Sequence, residues 1–311
     1  MKPIRLGIVG VGKIAQDQHI PALRSNPDFA LVACASRHAQ VDGVQNFPTI
    51  EAMLTDGAEL DAVAICTPPQ VHFEAAKLAL LSGKHVLLEK PPCSSTMQLQ
   101  RLTALASETG RTLYQTWHSQ HAPGVAPAER WLKPRRILGA RVAWKEDVRR
   151  WHPGQTWIWQ PGGFGVLDPG INAISILTRI IPEPFFAESA RLYAPSNRDA
   201  PIAADVLFRT DSGAEISAAF DFRHTGVQTW DIDIDTDAGA IKLSGGGAVF
   251  TVGGAPRPPD GSELESEYGS IYRRFAELIG HGQSDVHAAP LQITADIFLV
   301  AKQIAAEPFE D

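Results

Sequence analysis

The chain has 311 residues, 44% of them apolar and 20% charged, with a formal net charge of −7. That length suits two domains of a globular enzyme, and the acidic balance argues against general affinity for nucleic acid or an anionic membrane. No apolar run is long enough to span a bilayer, and Cys34, Cys66 and Cys93, never spaced as CxxC, form neither a disulfide framework nor a zinc site.

The first strand is expected at once. Ile4, Leu6, Ile8 and Val9 form an apolar run without polar alternation, as in a strand buried on both faces of a parallel sheet. So early a strand leaves no room for a signal peptide, and the chain is expected in the cytoplasm. Gly10, Gly12 and Ala15 follow in the pattern GxGxxA, and a helix is predicted from Lys13 to Leu23. Gly10 permits a tight turn, Gly12 lets backbone approach a pyrophosphate, and Ala15 keeps helix and sheet close. The helix N-terminus offers unpaired N–H groups and partial positive charge, making Gly10, Gly12, Lys13, Ile14 and Ala15 a candidate dinucleotide cradle.

A second buried strand is predicted at Phe29–Ala35, ending in Ser36, Arg37 and His38. An acid there would bind the ribose 2′-hydroxyl of NAD. This chain has instead a cation and a hydroxyl, which suit a 2′-phosphate, so NADP should bind at least as well as NAD. The plainer alternative is a solvated arginine at a strand end.

After a short helix at Thr49–Leu54, a third strand (Ala62–Cys66) is closed by Thr67, Pro68 and Pro69. A helix from His72 to Leu81 leads to the strand His85–Leu88, and Glu89, Lys90, Pro91 and Pro92 follow directly. Lys90 is thereby expected at the carboxyl end of a parallel strand, where such sheets bind ligands, and is a candidate proton-transfer group. Pro91 restrains its backbone and is a candidate cis residue. A helix (Thr96–Thr109) and a strand (Thr112–Thr116) complete a Rossmann nucleotide-binding domain over residues 1–118.

The texture then changes. From Leu138 onward, runs of strict alternation appear at Phe186–Tyr193, Ala204–Phe208, Glu215–Phe222 and Gln228–Asp235, and Ala240–Ser244 and Val249–Val252 flank a triple-glycine turn. Helices are predicted at Tyr268–Gly280 and Leu291–Ala305. Residues 119–311 therefore read as an open, mostly antiparallel sheet with helices on one face. The other face needs cover, which a homo-oligomer, dimer or tetramer, would supply. Asp231, Asp233 and Asp235 fit a solvated stripe better than a calcium loop.

The stretch Trp144–Asn172 combines Trp144, Trp151, Trp157 and Trp159 with Glu146, His152, Gln155, Asp168 and Asn172. Indole faces beside directed polar groups suit a sugar, although tryptophans are also buried for packing alone. Gly162, Gly163 and Gly165 would let this loop approach a ligand. Asp168 and Asn172 lie four apart at the start of a helix predicted over Pro169–Ile181 and face the same way, Asp168 being also a candidate cap.

With GxGxxA, the Thr-Pro-Pro after the third strand, Glu89-Lys90-Pro91 and the segment Asp168–Asn172, the whole chain resembles the glucose-fructose oxidoreductase / inositol dehydrogenase / MocA family. Most members carry Asp-x-x-x-His where this chain has Asp168 and Asn172, a departure that bears on a histidine acid–base mechanism. The Asn variant, with ASRH, WHS, KEDVRRWHPGQ and WIW, is similar to the bacterial L-arabinose and D-galactose 1-dehydrogenases of the family. The resemblance implies oxidation of a pyranose C1 hydroxyl to a lactone, with hydride passing to NADP or NAD.

It also implies site roles. Lys90 is the first choice as base, Asp168 orients the sugar and Lys90 or takes the proton itself, and Asn172 holds the C1 or C2 oxygen. His118, Glu146, Trp151, His152 and Trp230 are candidates for the rest of the sugar. Thr67, Pro68, Pro69, His72, Glu89, Lys90 and Trp159 join Ser36, Arg37, His38 and the glycine turn as candidate cofactor contacts. His118 and His121 lack metal-ligand spacing, and no metal is expected. Rival readings are another oxidoreductase of this fold, such as an inositol or deoxy-sugar dehydrogenase or an imine reductase, and a non-catalytic NADP-sensing regulator. Retention of Lys90 and Asp168 argues against the regulator.

Overall fold

A computed structural model of the chain describes residues 2–57, 59–257 and 265–310, which divide into two compact units. The first opens with β1 (Ile4–Val9), and a π-helical turn at Ala15–His19 leads into α1 (Ile20–Ser25). There follow β2 (Phe29–Ala35), β3 (Gln45–Phe47), α2 (Ile50–Asp56), β4 (Ala62–Ile65), α3 (Pro69–Leu81), β5 (His85–Leu88), α4 (Thr96–Thr109) and β6 (Leu113–Gln115). All six strands run parallel in the order β3-β2-β1-β4-β5-β6. The order reverses between β1 and β4, and the carboxyl ends of strands at such a reversal are where open sheets of this kind bind ligands.

Local chemistry explains the boundaries. Thr49 and Ser95 cap α2 and α4 by accepting the backbone N–H groups of Ala52 and Gln98. α3 begins three residues earlier than the pattern suggested, with Pro68 as cap and Pro69 in the first turn. A proline fits there because its missing N–H is not needed. The prolines that stop β4 thus also start α3.

The second unit contains α5 (Val125–Leu132), β7 (Ile137–Lys145), α6 (Val148–Trp151), α7 (Leu167–Ile180), β8 (Phe185–Pro195), β9 (Ala203–Thr210), β10 (Glu215–Asp221), β11 (Thr229–Thr236), β12 (Gly239–Ser244), β13 (Val249–Val252) and β14 (Ala255–Pro256). After residue 264 come α8 (Glu267–His281), α9 (Ala289–Val300) and β15 (Ala301–Ala306). Nine strands form a sheet in the order β14-β13-β12-β11-β7-β10-β9-β8-β15. Only β7 with β10 and β8 with β15 pair in parallel; the other pairings are antiparallel. α5, α7 and α9 pack on one face, over the buried Val142, Trp144, Val206, Ala218, Phe220 and Ile232. Residues one step out of register, among them Arg141, Asp205, Leu207, Ser217, Ala219 and Asp233, line a shallow depression on the opposite face. There Lys242 pairs with Asp231 and Asp233, so these aspartates are neutralised by a side chain.

Two expectations are corrected. α8 does not join the unit formed by 119 onward; residues 265–288 return to the first unit. Its apolar stripe of Tyr268, Ile271, Tyr272, Phe275 and Leu278 completes the core around Leu6, Ile8, Phe29 and Tyr114. Phe29 meets Tyr272 edge-on at 5.3 Å between ring centroids and stacks on Phe275 at 6.0 Å. The final helix ends at Val300 rather than Ala305, because residues 301–306 pair with β8 at the sheet edge. Edge pairing there overrides local helix propensity. Cys34, Cys66 and Cys93 are all buried free thiols.

Candidate active site

In the first unit the glycine turn leaves β1 at Gly10, whose φ is +87° and whose N–H donates to the Ala35 carbonyl at 2.9 Å. A Cβ there would lie 2.7 Å from Thr67 Cγ2 and 2.9 Å from the Thr67 nitrogen, so the end of β4 packs directly on the turn. Around Gly12 a Cβ would meet nothing within 4 Å. No neighbour requires Gly12 to be bare, which leaves room for a group from outside the chain. Thr67 Oγ1 is buried and has no protein hydrogen-bond partner among the described residues. An open, glycine-lined turn at a helix start beside an unsatisfied hydroxyl fits the phosphates and ribose of a dinucleotide.

Around this turn Ala15 is fully buried, Ile14 half-buried, and Lys13 pairs with Asp17 on the surface. Ser36 Oγ accepts the N–H groups of His38 and Ala39, and Arg37 and His38 are exposed. His72 is fully buried between the carbonyls of Thr67 and Pro92. Burial pushes its pKa down, and the single N–H of a neutral ring donates to one of these two carbonyls only.

Glu89 and Lys90 follow β5, and the Lys90–Pro91 peptide is cis. Lys90 is half-buried and its N–H donates to Glu89 Oε2 at 2.8 Å. Glu89 itself is buried. Burial alone would raise its pKa, but the hydrogen bond from His19, the nearby His19 and His118 imidazoles and the Lys90 N–H outweigh this and hold it at about 2. His118, expected among the sugar contacts, belongs to this unit; its Nδ1 lies 2.8 Å from Glu267 Oε2 and its ring stacks on Tyr268.

In the second unit Asp168 is buried in the first turn of α7, not at its cap, and its N–H donates to Gly165 O at 2.9 Å. A carboxylate in a first helical turn is favoured by the helix dipole. Asn172 sits one turn further on and is half-buried. The preceding loop is tightly folded on its own chain. A Cβ at Gly163 would strike Trp157 O at 2.1 Å, one at Gly165 would strike Pro201 O at 2.3 Å, and Phe164 between them has φ +69°. Gly163 and Gly165 are thus required by the packing of the loop on its own chain. α7 then crosses β10, where a Cβ at Gly170 would touch the Phe220 ring at 2.9 Å.

Next to that helix, at the end of β7, Glu146, His152 and Trp230 come together. Trp230 Nε1 donates to Glu146 Oε2 at 2.8 Å, and His152 Nε2 lies 3.0 Å from Glu146 Oε1. A carboxylate only accepts, so the His152 proton sits on Nε2. Trp151 tilts against Trp230 at 4.9 Å and Trp144 stacks on it at 6.0 Å. Glu146 is buried with a partner on each oxygen, so it holds the orientation of His152 and of the Trp230 indole. Trp159, expected at the cofactor, is buried in this unit against Phe222 and Phe309, beneath the Arg198 guanidinium.

The pattern reading missed His19, Thr116 and Tyr268, which meet Glu89, and Tyr272, which meets His19. One signal was present: a histidine on the apolar side of a helix that also carries Ile20 and Leu23. Their convergence spans sequence separations of up to 253 residues and has no local signature.

Residues 4–116 match the model of an oxidoreductase family with an NAD-binding Rossmann fold, the glucose-fructose oxidoreductase / inositol dehydrogenase / MocA family. Galactose 1-dehydrogenase of Pseudomonas fluorescens is 44% identical over 315 residues, covering 100% of both chains. The chain belongs to this family. A crystal structure of D-galactose-1-dehydrogenase from Rhizobium etli is 52% identical and superposes with a TM-score of 0.93, covering 100% of this chain and 99% of that one. A 3-ketoreductase from Actinomadura kijaniata, solved with NADP and TDP-benzene, is 22% identical with a TM-score of 0.84, covering 98% and 99%, and shares the fold. Family membership makes the protein an oxidoreductase whose first unit is a nicotinamide dinucleotide domain.

Proposed function

We propose that the protein is an NAD(P)-dependent aldose 1-dehydrogenase that oxidises D-galactopyranose, L-arabinopyranose or both to the aldonolactone. The observation that carries this reading is the end-to-end 52% identity to D-galactose-1-dehydrogenase, which spans the sheet unit as well as the nucleotide domain. L-Arabinopyranose is D-galactopyranose without its C6 group, so a pocket for one accommodates the other.

A nicotinamide dinucleotide, when bound at the glycine turn, would supply a hydride acceptor at C4. Loss of the C1 hydride leaves the C1 oxygen needing to shed its proton, and Lys90 takes it as general base. The C1–O bond becomes a carbonyl beside the ring oxygen, which is the lactone. Asp168 orients the sugar, and Asn172, an amide that can both donate and accept, holds the C1 or C2 oxygen. His152, presented by Glu146, and the Trp151 and Trp230 faces serve the remaining hydroxyls and C–H surface. Thr67, Ser36 and Arg37 hold the ribose side of the cofactor, with Arg37 and Ser36 accommodating the 2′-phosphate of NADP. A second copy of the chain covers the outer face of the nine-stranded sheet.

The test is formation of reduced nicotinamide from NADP or NAD with D-galactose, L-arabinose, D-glucose, D-xylose and myo-inositol in parallel. Turnover of the first two alone is expected. Turnover of myo-inositol alone would move the protein to a polyol dehydrogenase, and cofactor binding with no turnover would move it to a regulator.

A further inference from the structure

The buried surroundings of Glu89 are out of proportion to a purely structural role. Its Oε1 lies 2.9 Å from the Tyr268 hydroxyl, 3.2 Å from Thr116 Oγ1 and 3.2 Å from His19 Nε2, while Oε2 accepts the Lys90 N–H at 2.8 Å. His19, Thr116, Tyr268 and Glu89 are all buried. Because a carboxylate only accepts, His19 carries its proton on Nε2, and its Nδ1 is 2.7 Å from the Tyr272 hydroxyl. The π-helical turn at Ala15–His19 brings the imidazole to this point, directly after the glycine turn.

A buried charge held by polar partners rarely improves stability over an apolar cluster of the same shape. Here the cluster does something an apolar one could not, since it leaves one carboxylate oxygen aimed at the backbone of Lys90. The chain just beyond, at Pro92, faces His72 from the other side. The main chain is thus held both at the Lys90 N–H and at the Pro92 carbonyl.

We propose that Glu89 is a positioning residue for Lys90, held in place by His19, Thr116 and Tyr268, so that α8, the helix that returns from the distant part of the sequence, completes the lysine's support. The proposal rests on the assignment of Lys90 as the proton acceptor. In Glu89→Gln the amide oxygen can serve either the Lys90 N–H or the three donors around Oε1, and the amide nitrogen opposes whichever group is left.

Two measurements test it. Hydrogen exchange of the ligand-free protein should quicken by about tenfold in the segment around Lys90 in Glu89→Gln and His19→Leu, with β1 and β4 unchanged. In steady-state kinetics the same variants should lose about tenfold or more in kcat, with the KM for NADP within about twofold and a displaced limb in the pH profile of kcat. His19→Gln, whose amide can still donate to Glu89, should recover most of both signals, and Tyr268→Phe gives an intermediate variant if His19→Leu fails to fold. Wild-type exchange near Lys90 in Glu89→Gln would overturn the proposal, as would quickening spread evenly over the first unit. If the wild-type protein oxidises no sugar, the functional reading falls while the exchange measurement still decides this one.

Discussion

Glu146 and Trp230 are joined by a 2.8 Å hydrogen bond from the indole N–H to a carboxylate oxygen, and the other oxygen of the same carboxylate faces His152. β7 and β11 bring them together, for Trp230 pairs with Trp144 and Glu146 lies just beyond the end of β7. One buried acid therefore sets both an aromatic face and an imidazole. Trp230→Phe keeps the ring and removes the donor. It should raise the sugar KM by about tenfold, the scale of one lost hydrogen bond to a buried charged group, and leave the NADP KM unchanged. Steady-state kinetics with each substrate varied in turn would show whether the cost falls on the sugar.

Lys90→Ala should lower kcat by at least about a hundredfold, the usual scale of lost general base help. Partial recovery by added primary amines would mark the missing group as a proton acceptor. Near-normal turnover would transfer the role to Asp168 or to water.

Arg37→Ala should raise the KM for NADP by about tenfold or more and that for NAD little, since only NADP offers a 2′-phosphate for a guanidinium to meet. Equal effects on both cofactors would return Arg37 to the solvated strand end considered from its sequence alone.

Gly10 and Gly12 should behave differently although they share one motif. Gly10→Ala forces a Cβ into Thr67 at a φ of +87° and should cost about 1–3 kcal/mol of stability, read as a lowered unfolding midpoint. Gly12→Ala meets no protein atom within 4 Å, so it should keep the wild-type midpoint and weaken cofactor binding. Loss of stability in both would mean the turn is bare for packing alone.

Acid should destabilise the protein in two stages. Burial depresses the pKa of His72 below its ordinary 6.5, so the unfolded chain takes up that proton first and stability falls as pH drops below this value. Glu89, held near about 2 against an ordinary 4.5, contributes stability in full above 4.5, and that contribution is lost as pH falls towards about 2. Denaturant unfolding of wild type and Glu89→Gln between neutral and acid pH should show the gap between them narrowing below 4.5. A constant gap would mean that the charge on Glu89 does not matter to folding.

Sequence alone determined what depends on near neighbours. The strands at Phe29–Ala35 and His85–Leu88 and the helix at Thr96–Thr109 were legible to the residue, because an apolar run or a cap is a local signal. The glycine turn and Lys90 at a strand end were legible for the same reason, and the alternation after Leu138 marked the second sheet. Tertiary structure alone decided the rest. α8 reads as an ordinary amphipathic helix, and nothing near Tyr268 says that its hydroxyl meets Glu89, 179 residues earlier. Residues 301–306 lack a strand period of their own and became one by pairing with β8. Glu146 and Trp230 could be named as sugar contacts from composition, yet only their mutual hydrogen bond showed that each satisfies the other. A buried polar group must find its partner in space, and sequence order does not record which distant residue the packing of the core will place there.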